Sequence, residues 1–254
     1  MALGPDNCAI QLDNVSVQYP IGPYVRGSLK SSLFKLFGHR DPVPPPAHVD
    51  AIRQVSMTIS HGERVGIIGR NGSGKSTLLR TLAGVYPIKC GTTRVLGRIG
   101  TLLDIGLGFE SESTGRENIY YRGMAMGFSR KKLSKVEKEI IDFAGLGHFI
   151  DLPMRTYSAG MYVRLGFAIS TQFAPDVLLI DEIFGAGDAA FSEKAVKRMM
   201  DIVKRAGIVV LVTHDLSLVE RLCTRVIWLD QGCVRRDGPP SVVIPQFLNE
   251  VIGS

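Results

Sequence analysis

The stretch Ile67–Thr77 reads I-I-G-R-N-G-S-G-K-S-T and limits the possible folds more than any other part of the chain. It has the spacing of a phosphate-binding loop, in which a glycine is followed after four residues by Gly-Lys-Ser. The loop lies between an apolar strand, Arg64–Ile68, and a helix that starts at Lys75 and closes at Gly84. This strand–loop–helix order predicts a nucleotide site.

The residue types of the loop explain how it would hold phosphate groups. Its glycines let backbone N–H groups curl around an anion, and the following helix points its positive end at the same place. Lys75 can reach the terminal phosphates, and the Ser76 hydroxyl is placed to bind Mg²⁺. The candidate nucleotide-binding residues of the loop are Gly69, Arg70, Asn71, Gly72, Ser73, Gly74, Lys75, Ser76 and Thr77.

Composition narrows the class of protein. The chain has 254 residues, is 45% hydrophobic and 21% charged, and is long enough for a substantial core. No apolar run approaches the roughly 18 residues needed to cross a bilayer, and the N-terminus lacks the pattern of a secretory signal. The four cysteines are scattered, which suits a reducing cytosol better than a disulfide framework or a zinc site. A net charge of +6 fits nucleic acid, an anionic membrane face or an ordinary solvated surface, and does not choose between them.

Strand-like and helix-like segments alternate along most of the chain. Strands are predicted at Ala9–Val17, Ile52–Ile59, Arg64–Ile68, Thr92–Val95, Ile99–Leu103, Val177–Ile180 and Ile208–Val212, with a closing hairpin at Val226–Leu229 and Cys233–Arg236. Beyond the helix at Lys75, helices are predicted at Thr114–Met126, Lys131–Phe143, Tyr162–Phe173, Ala189–Arg205 and Val242–Val251. This alternation predicts an α/β fold whose largely parallel sheet is covered on both faces.

An insertion at about residues 20–49 separates the first two predicted strands. Within residues 28–37, one helical face carries Leu29, Leu33, Leu36 and Phe37, and prolines then stiffen the connector. One interpretation is a short amphipathic helix against a membrane or a membrane-embedded partner. The commoner role of such a helix is to pack on its own domain, and we favour that role.

A second chemical signal lies where the apolar strand Val177–Ile180 ends in Asp181 and Glu182. In phosphoryl-transfer sites the first acid at such a strand end holds Mg²⁺, which predicts that role for Asp181. Glu182 is then placed to polarise a water molecule toward the γ-phosphate. Two adjacent acids can also cap a helix or lie on the surface, and it is the phosphate loop that favours the catalytic interpretation.

The order of five motifs resembles that of the ATP-binding cassette (ABC) family over nearly the whole chain. The phosphate loop is followed by Y-S-A-G-M, the acidic pair, G-A-G-D ending at Asp188, and His214. The family signature, usually Leu-Ser-Gly-Gly-Gln, keeps Ser158 and Gly160 here, with Ala159 between them. The resemblance implies the α/β fold of a P-loop NTPase, with a RecA-like core, an antiparallel β subdomain and a helical subdomain.

The resemblance further implies one ABC ATP-binding domain over residues 1–254, with its helical subdomain at about 113–165. In this family two cassettes dimerise head to tail around two ATP molecules. The turn at 158–160 would contact the ATP held by a second copy of the chain, while His214 would sense the γ-phosphate in its own subunit. Asp188 would belong to the loop that follows the catalytic Glu182.

Two positions depart from the family pattern. The loop between the first sheet and the helical subdomain usually has a glutamine, whereas T-L-L-D-I-G-L-G-F at 101–109 offers Asp104. A carboxylate there could still bind Mg²⁺ or water, but it cannot donate a hydrogen bond when ionised. In this family the aromatic residue that stacks on adenine usually follows the first strand, which assigns it to Tyr19. Because the insertion follows Tyr19 directly, Tyr24 is the alternative.

With these departures, the sequence resembles the ATPase subunits that export cell-surface polysaccharides such as O-antigen, capsule or teichoic acid. The resemblance rests on 101–109, T-G-R-E-N at 114–118, and the signature and D-E-I-F-G-A-G-D-A-A-F stretches. It implies a lipid-linked glycan passed through a separate transmembrane permease dimer, and a peripheral position on the cytoplasmic face of the inner (plasma) membrane. No nucleic acid partner is expected. The alternatives are an ATPase for a different transporter, of a small solute or a lipid, and a soluble ABC ATPase acting on nucleic acid or ribosomes.

Overall fold

The structure is a computed structural model that describes residues 9–21, 47–103, 108–181 and 189–252. The strands are β1 (Ala9–Ile21), β2 (Ala47–Ser60), β3 (Arg64–Ile68), β4 (Cys90–Leu96), β5 (Ile99–Leu102), β6 (Val177–Asp181), β7 (Ile208–Val212), β8 (Arg225–Asp230) and β9 (Cys233–Gly238). The helices are α1 (Lys75–Leu82), α2 (Gly115–Ala125), α3 (Arg130–Ala144), α4 (Ala159–Ser170), α5 (Ala189–Arg205), α6 (Leu216–Leu222) and α7 (Pro240–Ile252). Two short 3₁₀ helices, Gly147–Asp151 and Met154–Thr156, join α3 to α4.

The strands form two sheets. A six-stranded sheet has the order β5-β6-β7-β3-β8-β9, in which the first five strands are parallel and β9 runs antiparallel to β8. A three-stranded antiparallel sheet has the order β2-β1-β4. The predicted α/β fold with a largely parallel sheet and a separate antiparallel sheet is therefore confirmed. Because β3 and β6 are parallel members of one sheet, their carboxyl ends lie along the same edge of it.

Residues of one strand face two different hydrophobic clusters, one on each side of the parallel sheet. In β6, Val177 and Leu179 belong to the cluster that includes α1 and the antiparallel sheet, whereas Leu178 and Ile180 belong to the cluster that includes α2, α3 and α4. Successive side chains of a strand point to opposite faces, so a strand covered on both sides has to be apolar throughout. This explains the continuous apolar sequences of β6 and β7.

Helices α2, α3 and α4 form a helical layer that spans residues 115–170, against about 113–165 expected from the sequence. Its first helix begins in a capping box, where the Thr114 hydroxyl accepts from the Glu117 N–H and the Glu117 carboxylate accepts from the Thr114 N–H. The Arg116 guanidinium then bonds Glu137 of α3 and Asp151. Charged contacts thus tie α2 to the rest of the layer.

The ends of the insertion were predicted wrongly. β1 continues to Ile21 and β2 already begins at Ala47, so both ends of the predicted 20–49 segment are paired strands. Bulges in the β1–β2 ladder, with left-handed backbone at Asn14 and Gln54, break the alternation on which the sequence prediction depended. The proposed amphipathic helix at 28–37 lies outside the described residues.

Two helices also differ from prediction. α4 begins at Ala159 rather than Tyr162, because the Ser158 side chain caps it at the signature turn. The short helix α6 was not predicted, since seven residues are too few to show a helical period. Within the four described ranges, every helix is too short or too polar to span a bilayer.

Candidate nucleotide site

The phosphate loop joins the carboxyl end of β3 to α1 and has little room for side chains at two of its glycines. Gly69 and Gly74 have φ angles of 153° and 102°. A Cβ at Gly69 would lie 2.1 Å from the carbonyl oxygen of Leu229, and one at Gly74 would lie 2.4 Å from that of Ala51. The loop is therefore wedged between the end of β8 and strand β2, and its shape requires glycine at both places.

Two hydrogen bonds of the β8–β9 turn link the phosphate loop to strand β2. The Gly232 N–H donates to the Ser73 carbonyl at 3.0 Å, and the Gly232 carbonyl accepts from the Arg53 N–H at 2.8 Å. The turn thus connects the phosphate loop to the antiparallel sheet. These bonds help to hold the loop in its position beside the antiparallel sheet.

Lys75 places a positive charge inside the loop. Its side chain is buried, and its ammonium donates to the carbonyl oxygens of Gly69 at 2.9 Å and Arg70 at 3.0 Å. The first N–H groups of α1 have no partner within a helix and point toward the same place. A cation and a helix N-terminus together suit the phosphates of a nucleotide.

Ser76 and Asp181 meet in space although they are far apart in sequence. The Ser76 hydroxyl donates to the Asp181 carboxylate at 3.4 Å, across from α1 to the end of β6. A hydroxyl and a carboxylate oxygen are donor types that Mg²⁺ accepts beside substrate phosphates and water. These two side chains therefore fit the predicted Mg²⁺ site.

One cleft of about 600 Å³ is bordered by nine of the eighteen site residues predicted from the sequence, and its volume is typical of small-molecule sites. It includes the predicted residues Tyr19, Asn71, Gly72, Gly74, Lys75, Ser76, Thr77, Asp181 and His214. Arg70 and Ser73, together with Asn71 and Gly72, line a second cavity of about 380 Å³ beside the end of α7. The structure thus brings the loop, the acid at the end of β6 and His214 together on one surface.

Tyr19 borders this cleft from the antiparallel sheet. Its hydroxyl donates to the Thr77 hydroxyl at 3.0 Å, and its ring meets the ring of Tyr86 edge to face at 5.2 Å between centroids. Burial raises the pKa of the Tyr19 hydroxyl, which keeps it protonated as a donor. Stacking of this ring on a base stays a prediction, and Tyr24 lies outside the described residues.

The signature turn lies at the surface, away from both cavities. Ser158 and Ala159 are exposed, and the Ser158 hydroxyl accepts from the Met161 N–H at the start of α4. Tyr157, which replaces the usual leucine, is buried and donates its hydroxyl to the Phe149 carbonyl at 2.7 Å. The buried Tyr157 side chain therefore holds the turn on the protein. Ser158 and Ala159 are accessible from outside, and Gly160 has space for a side chain.

Three predicted site residues, Asp104, Glu182 and Asp188, lie outside the described residues, and their roles stay predictions. The cleft also has lining residues that were not predicted, among them Asp50, Arg53 and Gln231. Two of these come from β2 and one from the β8–β9 turn. Their positions depend on how the two sheets pack, and no local motif marks them.

Comparison with known proteins places this geometry among ATP-binding cassettes. The family model described as "ABC transporter" matches residues 52–185. The O-antigen export system ATP-binding protein RfbB of Myxococcus xanthus is 48% identical over 80% of this chain, which spans 46% of the length of that relative. The RfbB protein of Klebsiella pneumoniae is 39% identical over 94% of this chain and 96% of its own length.

A solved structure shares the fold. It is a dimeric ATP-binding cassette in a post-hydrolysis state bound to ADP and phosphate, with a TM-score of 0.67. The match covers 91% of this chain and 98% of the other at 22% identity.

Proposed function

The chain belongs to the ABC transporter family of ATP-binding proteins, and we propose that it hydrolyses ATP to power export of a lipid-linked cell-surface polysaccharide. The glycan, such as O-antigen or capsule, would pass through a separate transmembrane permease dimer. The observation that carries the ATPase function is the single cleft shared by Lys75, Ser76, Asp181 and His214. The cargo class is supported by the Klebsiella relative, whose similarity extends over nearly the full length of both chains.

Binding of ATP would use the loop and the start of α1. The backbone of the loop cradles the phosphates, and the Lys75 ammonium, already held beside the carbonyls of Gly69 and Arg70, contacts the terminal ones. Ser76 and Asp181 would hold Mg²⁺, which supplies positive charge next to the phosphates. Tyr19 would receive the base at the side of the cleft formed by the antiparallel sheet.

Hydrolysis would depend on Glu182 and His214. Glu182 follows Asp181 directly, and its carboxylate would accept a proton from the attacking water. His214, which lies on the cleft after β7, would contact the γ-phosphate from the same subunit. The bond between the β- and γ-phosphates breaks, giving ADP and phosphate.

A second copy of the chain would complete the site. Ser158 and Ala159 are exposed at the start of α4, and the turn at 158–160 does not line the cleft of its own subunit. In a head-to-tail dimer it would contact the γ-phosphate held by the partner, so ATP would close the dimer and hydrolysis would release it. The solved cassette that shares this fold is a dimer.

The cellular setting follows from the same proposal. The chain would lie peripherally on the cytoplasmic face of the inner membrane, with its helical layer against the cytoplasmic helices of the permease. The permease would handle the lipid-linked glycan, and nucleic acid would not be a partner.

Gene deletion in the host tests this function. Loss of the chain should remove the surface polysaccharide and leave lipid-linked glycan inside the cell. Wild-type protein should restore export, whereas a Lys75→Ala variant should bind the permease without restoring it, because its phosphate loop is impaired. An unchanged cell surface, together with salt-sensitive binding of the purified protein to nucleic acid, would contradict the proposal and favour the soluble ATPase.

A further inference from the structure

One lysine and one arginine, Lys75 and Arg53, line the nucleotide cleft. Lys75 is buried and bonded to two carbonyl groups of the loop. Arg53 is exposed, and its guanidinium has no hydrogen-bond or ion-pair partner in the part of the chain that the structure describes. Arg53 is therefore a charged group that the fold itself does not use.

The carboxylates of the cleft are already engaged by other residues. Asp50 accepts a hydrogen bond from the Gln18 amide across the β1–β2 ladder, and Asp181 accepts from the Ser76 hydroxyl. Neither carboxylate forms a hydrogen bond or an ion pair with Arg53. Both carboxylates keep their charge, because their donors are neutral, but the guanidinium of Arg53 is left available to a bound anion.

The main chain of Arg53 is held firmly beside the phosphate loop. Its N–H donates to the Gly232 carbonyl, and the Gly232 N–H donates to the Ser73 carbonyl, so only one residue separates Arg53 from the loop. The preceding residue, Ile52, is fully buried, and its side chain would lie 3.0 Å from a Cβ at Gly74. Arg53 therefore projects from a rigid position next to residues 73 and 74.

We propose that Arg53 is a further nucleotide-binding residue whose guanidinium binds the α- and β-phosphates. The backbone of a phosphate loop holds these two groups, while the lysine of the loop reaches the terminal phosphates. The planar guanidinium presents paired N–H donors that match phosphate oxygens, which an ammonium cannot do. The inference rests on the proposed function only in assuming that the cleft binds ATP.

Binding to the α- and β-phosphates has a distinctive consequence. ATP and ADP share both groups, so Arg53 should add equally to the affinity for each. Adenosine has neither group, so its binding should not depend on Arg53. Lys75, Ser76 and Asp181 would still account for any preference for ATP over ADP.

The test is titration calorimetry of Arg53→Gln with ATP, ADP and adenosine. We expect the Kd for ATP and for ADP to rise by the same factor, roughly 3- to 10-fold for a charge-assisted contact that solvent partly screens. Adenosine binding should stay as in the wild type, and Arg53→Lys should recover part of the loss. Arg94→Gln, an exposed arginine on β4 outside the cleft, is the matched control and should leave all three affinities unchanged.

Several outcomes would overturn the inference. Unchanged affinity for ATP and ADP would make Arg53 an ordinary solvated residue, and a loss restricted to ATP would assign it to the γ-phosphate. An equal loss for adenosine would assign it to the base or ribose. If the wild-type chain itself binds no ATP, the proposed function fails instead, which separates the two results. Urea unfolding of each variant checks that the fold is intact.

Discussion

Replacement of Gly69 by alanine tests whether the packing around the phosphate loop determines its shape. A Cβ there would lie 2.1 Å from the Leu229 carbonyl oxygen and 2.6 Å from the Ser73 hydroxyl oxygen. The nearer atom belongs to the backbone of buried strand β8, so the loop itself has to move. Gly72 is the matched control in the same loop, because its φ is 79° but a Cβ there would meet no atom of the described residues within 4 Å.

The magnitude follows from this difference. Gly72→Ala should cost only the strain of a left-handed backbone, about 1–2 kcal/mol. Gly69→Ala should add an overpacking cost of about 1–3 kcal/mol on top of its own backbone strain. We therefore expect the free energy of unfolding of Gly69→Ala to be lower than that of Gly72→Ala by about 1–3 kcal/mol.

Urea unfolding without nucleotide measures this difference directly, because no ligand then contributes to stability. ATP affinity, measured separately, should also fall further in Gly69→Ala than in Gly72→Ala. Equal unfolding free energies for the two variants would refute the reasoning, since they would mean that the contact between the loop and Leu229 does not constrain the loop.

Two further predictions concern charged groups. Asp181→Asn should make the affinity for ATP insensitive to Mg²⁺, because the carboxylate beside Ser76 is lost. Titration with ATP in the presence and absence of EDTA measures this effect. An undiminished effect of Mg²⁺ on the affinity would contradict the assignment. The second prediction concerns Glu137, whose pKa is lowered by hydrogen bonds from Tyr120 and Arg116. Its ionised form therefore stabilises the fold above about pH 4.3. This stabilisation is lost as the pH falls through the lowered pKa. In urea unfolding at pH 7, the free energy of unfolding of Glu137→Gln should therefore be lower than that of the wild type by roughly 0.5–1 kcal/mol, allowing for solvent screening. If the stability of the variant falls on acidification as steeply as that of the wild type, the prediction is wrong.

Local features of the sequence were sufficient to predict the core of the site. The phosphate loop needs glycines, a lysine and a serine at fixed spacing, so its residues can be read without knowing the rest of the fold. The position of Asp181 could be predicted because the apolar run before it identifies a buried strand, and parallel strands end at the same edge of a sheet. These predictions depend on neighbours in sequence or on a general rule of sheet geometry.

Residues brought to the cleft by packing between sheets could not be predicted. Arg53 looks like any exposed arginine in the sequence, and only the hydrogen bonds of Gly232 to Arg53 and Ser73 show that it lies beside the loop. Gln231 reaches the cleft because a tight turn with φ of 46° brings it there. The strand ends at Ile21 and Ala47 were missed because bulges shift the alternation of side chains.

Dimer formation that requires ATP tests the central claim most directly, since one chain holds only half of the proposed site. Glu182→Gln should keep bound ATP, because only the water-activating carboxylate is lost. Gly160→Asp added to it is the control. Among the described residues, a Cβ at Gly160 would come within 4 Å only of the Ser158 hydroxyl oxygen, at 3.9 Å, so the fold should tolerate this change.

In sedimentation velocity, we expect Glu182→Gln to be a dimer with saturating Mg-ATP and a monomer with ADP. The variant that also carries Gly160→Asp should bind ATP and stay a monomer, because the new carboxylate repels the γ-phosphate held by the partner. A Glu182→Gln protein that binds ATP and remains a monomer would contradict the composite site.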